Sequence, residues 1–162
     1  MAGAIVDIDL RGLLTFDQAF ARIERLLQHP EPLLEDIGEY LLLSVDERFD
    51  RREAPDGTPW APVSEEYAER KAAGKATKRS GAVTDPGNIL ELTRDLRRLT
   101  RYQVDGELLL IGSDREYAAT HQFGDPKRGI VARPVYGMSD EDNEEAARLV
   151  IEHLTDAVDD FG

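Results

Sequence analysis

The stretch "EYAATHQFGDPKRGIVARPVYGMS", Glu116 to Ser139, carries the local signals that decide the fold. Ser113 stands three residues before its first residue, a capping-box spacing that predicts a helix over 114–123. Gly124 follows as the expected left-handed residue at the end of that helix. The run "GIVARPVYG" then predicts a strand, and Pro134 within it places that strand at a sheet edge or at a bulge. The stretch is therefore predicted to be a folded joint between a helix and a sheet.

His121, one of three histidines in the chain, lies in the last turn of this predicted helix. Tyr117 is four residues earlier, so the two rings lie one above the other, and a histidine at this position can interact with the C-terminal carbonyls. We interpret His121 as a hydrogen-bonded structural residue that bridges the helix end to a strand or loop. The alternative is a catalytic or pH-switching histidine, for which the sequence offers no partner. In the same joint we expect Phe123 to pack in the core and Arg133 to make a charged contact.

The N-terminal part of the chain predicts a short strand followed by two helices. The strand covers Ala4–Leu10. Thr15 and Gln18 form another capping box, which is expected to begin the first helix. A longer amphipathic helix carries apolar residues from Leu34 onward and ends near Arg52. We expect the two helices to form an antiparallel or angled pair.

The middle of the chain predicts two loops separated by a short helix. Trp60, the only tryptophan, lies in a proline-bounded loop, where we interpret it as a hydrophobic plug; the alternative is an exposed anchor for a partner. Ser64 is expected to begin the short helix. Residues 73–88 are rich in Gly, Ser, Thr and Lys and lack apolar periodicity, which predicts a flexible loop. We hypothesise that this loop becomes ordered on assembly.

The C-terminal half predicts a helix, a hairpin and a long final helix. Thr93 is the expected N-cap of the first, and the Asp105-Gly106 pair predicts the hairpin turn. Ser139, followed by acids, is expected to cap the last helix, with Val150 among its inward residues. The order of elements predicts an α+β fold: N-terminal helices packed on a small antiparallel sheet, with an inserted helix and a long C-terminal helix. We expect a single domain over residues 1–162.

Composition excludes several classes of protein. The chain has 162 residues, no cysteine and a formal net charge of −13. The absence of cysteine excludes disulfides and thiolate nucleophiles. No apolar run approaches the ~20 residues of a membrane span, and no signal-peptide pattern is present, so we expect a soluble protein with no membrane partner. The acidic balance argues against sequence-specific binding of nucleic acid.

Charge is distributed unevenly along the chain. The segment from Arg70 to Arg101 contains nine basic residues and three acids. The segment from Ser139 to Gly162 contains nine acids and one arginine. Two interpretations stay open. The charges can belong to separate solvated faces, or opposite faces of identical subunits can meet head to tail and generate a ring.

The motifs of common enzymes are missing from the sequence. There is no Gly-x-Ser-x-Gly elbow, and Gly74-Lys75 and Gly81 do not have the spacing of a phosphate-binding loop. His29 and His153 lack ligand spacing to His121. We therefore predict no catalytic residue, no metal and no cofactor.

Four blocks, taken in order, resemble the phage virion morphogenesis family, the Mu-like tail completion proteins of tailed phages and prophages. They are "FDRREAPDGTPWAPVSEEYAERK", "ILELTRDLRRLT", "IGSDREYAATHQFG" and "ARPVYGMSDED", and they cover about residues 48–154. Arg94 stands where that family usually has Gly, and Val131 where it has Pro. Each departure is expected to alter a local backbone turn without removing a chemical group.

The resemblance implies a structural protein that completes or terminates the tail and prepares it for head joining. Related tail-end proteins form rings, commonly hexameric, so the implied partners are further copies of this chain and the tail tube, sheath and neck proteins. The implied location is the host bacterial cytoplasm during assembly and then the virion. The candidate interaction and structural residues are Trp60, Lys71, Lys75, Lys78, Arg79, Arg97, Tyr117, His121, Gln122, Phe123, Gly124, Arg133 and Pro134.

Two other functions remain open at this stage. One is a neck or head-completion connector, or another phage-encoded binding module. The other is a small hydrolase that uses His121 with a nearby acid.

Overall fold

The computed structural model describes residues 11–74, 89–91 and 94–159. Its elements are α1 (Arg11–Gln28), α2 (Glu31–Arg51), α3 (Glu65–Ala72), α4 (Asp95–Arg98), β1 (Thr100–Asp105), β2 (Leu108–Ser113), α5 (Glu116–Phe123), a 3₁₀ turn (Pro126–Arg128) and α6 (Asp140–Asp159). This order confirms the predicted α+β class with a long C-terminal helix. The predicted strand Ala4–Leu10, the predicted N-cap Thr93 and residues 75–88 of the predicted 73–88 loop lie outside the described residues.

Helix α2 is the centre of the fold. Its buried apolar residues Ile37, Leu41, Val45 and Phe49 are spaced by four, so they form one stripe along the helix. The helix packs against β1, β2, α4 and α6. At Gly38 the Tyr102 ring lies so close that an added Cβ would be 2.5 Å from its Cδ2 atom. The glycine therefore allows the hairpin to sit directly on the helix.

Helix α1 differs from the prediction in its start and in its partner. It begins at Arg11, so Thr15 lies inside the helix and does not cap it. It packs mainly on α6 instead of forming the expected pair with α2. Only His29 and Pro30 separate α1 from α2. Helix α1 therefore meets the C-terminal helix, a pairing between distant parts of the chain that sequence neighbours could not reveal.

The hairpin is present, with its turn one residue later than predicted. Asp105 pairs with Leu108, so the two-residue loop is Gly106-Glu107 and not Asp105-Gly106. Gly106 has a φ of 59° at the first loop position, a conformation that glycine adopts without steric cost. Along β1, Tyr102 and its alternate neighbours face α2, while the residues between them are exposed.

The capping box at Ser113 and the strand over "GIVARPVYG" are wrong. Ser113 pairs with Thr100 as the last residue of β2, and α5 begins three residues beyond it, at Glu116, without a side-chain cap. Of the "GIVARPVYG" run, Ile130 forms a single isolated bridge with Asp125, and the described residues contain a two-stranded sheet. Hydrogen bonds from the Gln122 side chain to this run replace part of the expected strand ladder.

The cap of α6 is confirmed. Ser139 Oγ accepts a hydrogen bond from the Asp142 backbone at 3.0 Å, and Asp142 Oδ2 accepts one from the Ser139 backbone at 2.7 Å. This reciprocal pair satisfies two donors at the start of the helix. Val150, which was expected to face inward, lies at the surface.

Candidate functional site

Gln122 on α5 holds residues 131–137 in place of a neighbouring strand. Its Oε1 atom accepts hydrogen bonds from the backbone of Val135 at 2.9 Å and of Tyr136 at 3.0 Å. Its Nε2 atom donates to the Tyr136 carbonyl at 2.7 Å. Buried backbone groups need partners, and one amide side chain here supplies three of them. At Val135 and Tyr136 these bonds take the place of hydrogen bonds to a neighbouring strand.

Trp60 is a buried plug under the same segment. Its side chain is 5% exposed, and its ring meets Phe49 edge to face at 5.5 Å between centroids. The indole Nε1 donates to the Pro134 carbonyl at 2.8 Å. The ring therefore ties its loop both to α2 and to the joint, and it is not placed as an exposed anchor.

Arg48 and Asp142 form a buried ion pair that sequence reasoning missed. Arg48 also donates through Nη1 to the carbonyls of Val135 and Gly137, each at 2.8 Å. Burial would raise the pKa of Asp142, but hydrogen bonds from the Ser139 backbone and from hydroxyl groups, together with the Arg48 charge, hold it below its usual value. One signal could have found the pair: Arg48 interrupts the apolar stripe of α2 between Val45 and Phe49.

Arg133 closes the other side of the joint. Its guanidinium donates to the carbonyls of Ala61 at 2.7 Å, Pro62 at 2.9 Å and Val131 at 3.3 Å. The expected charged contact is therefore a set of bonds to carbonyls. Burial lowers the pKa of Arg133. The side chain acts as a clamp between the Trp60 loop and the segment after α5.

His121 contributes to the joint through its backbone and not through its imidazole. Its carbonyl accepts a hydrogen bond from the Arg133 backbone at 2.7 Å. The ring stacks edge to face on Tyr117 at 5.9 Å, as their spacing predicts, but its buried Nδ1 atom has no hydrogen-bond partner. The prediction of a hydrogen-bonded imidazole is therefore wrong. Burial, followed by the charges of Arg133 and Arg128, lowers the pKa of His121 and favours the neutral ring.

Phe123 and Gly124 lie at the end of α5, where the sequence predicts the positive φ of the glycine but not the exposure of the phenylalanine. Phe123 is 79% exposed, so its expected core packing is wrong. Gly124 has the predicted positive φ, at 76°, but its ψ of 175° is extended and not left-handed helical. An added Cβ at Gly124 would lie 2.9 Å from Ala132 N and from Ile130 O. The glycine therefore lets the chain after the helix return against its end.

Arg97 links the hairpin side of the fold to α2. It donates to Asp46 at 2.5 and 2.7 Å, to Asp50 at 2.7 and 3.0 Å, and to Glu91 at 3.2 Å. Its guanidinium carbon also lies 5.9 Å from the centre of the Phe49 ring. Hydrogen bonds from Arg97 lower the pKa of Asp50. This candidate residue is thus used within the protomer.

The lysine candidates fall into two groups. Lys71 on α3 is 1% exposed, so it belongs to the interior and not to a contact surface. Lys75, Lys78 and Arg79 lie outside the described residues.

The described part of the chain offers neither a candidate metal site nor a candidate membrane span. No group of three or more His, Cys, Asp or Glu side chains there could hold a metal ion. Across residues 11–74, 89–91 and 94–159, no helix has both the length and the apolar character that a membrane span needs.

The fold and the site define a helix-rich α+β protein whose distinctive sequence motifs hold loops on a central helix. The profile of the phage virion morphogenesis family matches residues 13–155, and the chain belongs to that family. The resemblance drawn from the four sequence blocks is thereby confirmed. Membership gives the chain a structural or assembly role in making phage particles.

Two relatives are similar over most of their length. The chain is 31% identical over 139 residues to the protein named "Putative capsid assembly protein G" of Escherichia phage Mu, which covers 81% of this chain and 75% of that protein. It is 28% identical over 102 residues to an uncharacterized protein of Methanocaldococcus jannaschii, covering 63% of this chain and 72% of that protein. No solved structure matches the chain significantly.

The structure shows the backbone conformation at one of the two departures from the family pattern. Arg94, where the family usually has Gly, has a φ of 59° and a ψ of 9°, the left-handed region that glycine occupies readily. The turn before α4 is therefore left-handed, the conformation that a glycine would favour there, with an arginine in its place. Val131, at the other departure, is exposed.

Proposed function

We propose that this protein is a structural, non-enzymatic component that completes or terminates the phage tail and prepares it for joining to the head. The observation that carries the proposal is the family match over residues 13–155, supported by the similarity to the phage Mu protein. The matched motif residues Trp60, Gln122 and Arg133 bind backbone carbonyls and amides and serve packing. The protein works in the host cytoplasm during assembly and then in the virion.

We further propose that it acts as a homo-oligomeric ring that contacts the tail tube or sheath and the neck. Two features support self-association. Large apolar side chains are exposed on several elements, among them Leu43 on α2, Leu108 on β2 and Ile151 on α6. Apolar side chains of this kind favour an interface where they lie together in one patch. The uneven distribution of charge along the chain also suits contacts between unlike faces.

The test is a phage or prophage in which the gene is inactivated and restored from a plasmid. We expect lysates of the inactivated strain to contain heads together with tails whose ends are defective or whose lengths are abnormal in electron micrographs. Adding the purified protein to such lysates should restore infectious particles. Normal joined particles in the absence of the protein would contradict the proposal.

A second candidate, a neck or head-completion protein, is favoured by one observation. The name of the phage Mu relative refers to capsid assembly. In that case the inactivated strain should accumulate tails of normal length and normal ends, together with defective or unjoined heads. The same micrographs therefore distinguish the two candidates.

A further inference from the structure

The outer edge of β2 is open to a further strand in the part of the chain that the structure describes. The sheet there has two strands, and no backbone group outside the hairpin bonds to residues 108–112. In an antiparallel ladder, hydrogen-bonded pairs alternate with pairs whose N–H and C=O groups point away from the partner strand. Asp105 and Leu108 flank the two-residue loop and form a hydrogen-bonded pair. The backbone groups of Leu109 and Ile111 therefore point outward, where another strand can bond to them.

Strand β2 lacks the features that usually keep an edge strand from pairing with another chain. Proteins protect such edges with charged residues, proline or a bulge. The run "LLLIGS" of β2 has no charge and no proline, and its pairing with β1 contains no bulge. On the side away from α2, Leu108 and Leu110 are 62% and 53% exposed. We call residues 108–112, with their open backbone groups and exposed leucines, the β2 edge.

We propose that the β2 edge pairs with the β2 edge of a second copy of this chain, antiparallel and about a two-fold axis at Leu110. The two hairpins then form one four-stranded sheet, in which Leu109 of each copy bonds to Ile111 of the other. This inference does not rest on the proposed tail function. A two-fold contact closes on two copies, so a ring needs a second contact as well.

The side chains of the β2 edge complement themselves about Leu110, which favours a second copy as the occupant. Leu108 lies two residues before Leu110, and Gly112 lies two residues after it. In the proposed register Leu110 faces Leu110 of the second copy, and Leu108 faces Gly112. No described atom lies within 4 Å of a Cβ added at Gly112, so this position has room for the facing leucine. The four leucines therefore cover one another, and such cross-strand contacts stabilise a sheet.

The distribution of charge also favours contact at this strand. The chain carries a net charge of −13, so two copies repel one another where their acidic surfaces meet. Residues 108–113 carry no charge, and Glu107, the acid just before them, faces Ser113 of the second copy in this register. Pairing through β2 therefore brings two acidic proteins together without placing like charges directly opposite one another.

A single introduced cysteine tests both the contact and its register, because the chain has no cysteine of its own. Leu110→Cys places two thiols in a directly opposed pair that is not hydrogen-bonded, where the Cα atoms lie about 4.5 Å apart. That distance allows a disulfide. Mild oxidation of the full-length variant should therefore give a covalent dimer on a non-reducing gel. Leu108→Cys is the matched control in the same strand, since its two copies lie roughly 14 Å apart and should not be linked.

A charge at the same position tests self-association without a covalent bond. Leu110→Lys places two ammonium groups opposite one another and should weaken self-association by about tenfold or more. The matched control is Gln103→Lys, because Gln103 pairs with Leu110 within the hairpin and is also exposed. This control should associate as the wild type does. Mass measurement across a concentration series gives the dissociation constants, and thermal unfolding confirms that each variant is folded.

Three outcomes overturn the inference. A wild type that is monomeric at every concentration shows that the β2 edge does not bind a second copy. If the wild type associates and Leu110→Lys associates equally well, the copies meet at another surface. Equal cross-linking of Leu110→Cys and Leu108→Cys excludes the proposed register. If Leu110→Lys also fails to restore infectious particles although the wild type is monomeric, the edge binds a strand of another protein. The tail function itself is tested by the inactivated strain and stands or falls separately.

Discussion

Two arginines connect α2 to distant parts of the chain, and they do so in opposite environments. Arg48 is buried, where it binds Asp142 and the carbonyls of Val135 and Gly137. Arg97 lies near the surface and binds Asp46, Asp50 and Glu91, two of which are exposed. Arg97 makes more bonds to carboxylates than Arg48 does, so a count of ion pairs would rank it first.

Burial reverses that ranking. Breaking a buried pair leaves a charge that water cannot reach, which costs about 3–5 kcal/mol. Exposed pairs contribute only about 0.2–1 kcal/mol each, because water and salt screen them. The comparison indicates that the family's motif segments are held mainly by the Arg48 side of α2. Arg97 contributes less to stability and links the hairpin side of the fold to α2.

The largest effect is expected for Arg48→Met. The substitution leaves Asp142 buried without its charge partner and leaves two carbonyls without donors, so stability should fall by about 3–5 kcal/mol. Urea unfolding followed by far-ultraviolet circular dichroism measures the change. A loss no larger than that of Arg97→Met would show that the buried pair does not dominate.

Removing both charges sharpens the same test. The double variant Arg48→Met/Asp142→Asn keeps an oxygen for the Ser139 backbone and should be more stable than Arg48→Met alone.

The low pKa of Asp142 adds a pH dependence with a definite sign. Because the folded carboxyl has the lower pKa, its contribution is present above the unfolded value and is lost as pH falls through the folded one. The double variant has no carboxyl at position 142, so its free energy of unfolding should fall less as the pH is lowered.

A smaller loss is expected for Gln122→Met. The substitution keeps the approximate size but leaves the backbone groups of Val135 and Tyr136 without partners, at about 1–3 kcal/mol for a buried group. We expect a total loss of about 2–4 kcal/mol, since these groups are only partly buried. Gln103→Met, on the exposed face of β1, is the matched control and should change stability little. Equal behaviour of the two variants would contradict the amide clamp.

A weaker and salt-dependent effect is expected for Arg97→Met. The loss should be about 1 kcal/mol at low salt. It should shrink further at about 1 M NaCl, where the Debye length is about 3 Å. Urea unfolding at both salt concentrations gives the two values. The loss from Arg48→Met should change much less with salt, and similar salt dependence of the two variants would remove the distinction between them.

The sequence could predict the elements with strong local signals and the identity of the joint, but not how the joint is held. The helical repeat of α2, the Ser139 cap and the glycine at the hairpin are local, and each was found. Gln122 satisfies backbone groups thirteen and fourteen residues away, and Arg48 reaches Asp142 across most of the chain. Such pairings leave no periodicity. Phe123 was misplaced for the same reason: an aromatic in a helical motif looks internal until the path after Gly124 is known.

The smallest predicted effect, and the only gain, concerns Arg94→Gly beside the Arg97 cluster. Arg94 has a φ of 59°, a conformation that costs an L-residue roughly 1–2 kcal/mol and glycine much less. Part of that gain is lost to the greater freedom of glycine in the unfolded chain, so we expect stabilisation by about 0.5–1 kcal/mol. Arg98→Gly, inside α4, is the matched control and should destabilise by about 1 kcal/mol. Thermal unfolding of both variants at equal salt compares them. If Arg94→Gly also destabilises the protein, the charge of Arg94 near Asp50 contributes more stability than the left-handed backbone conformation costs. The charged contacts on the Arg97 side of α2 would then be stronger than exposed ion pairs usually are.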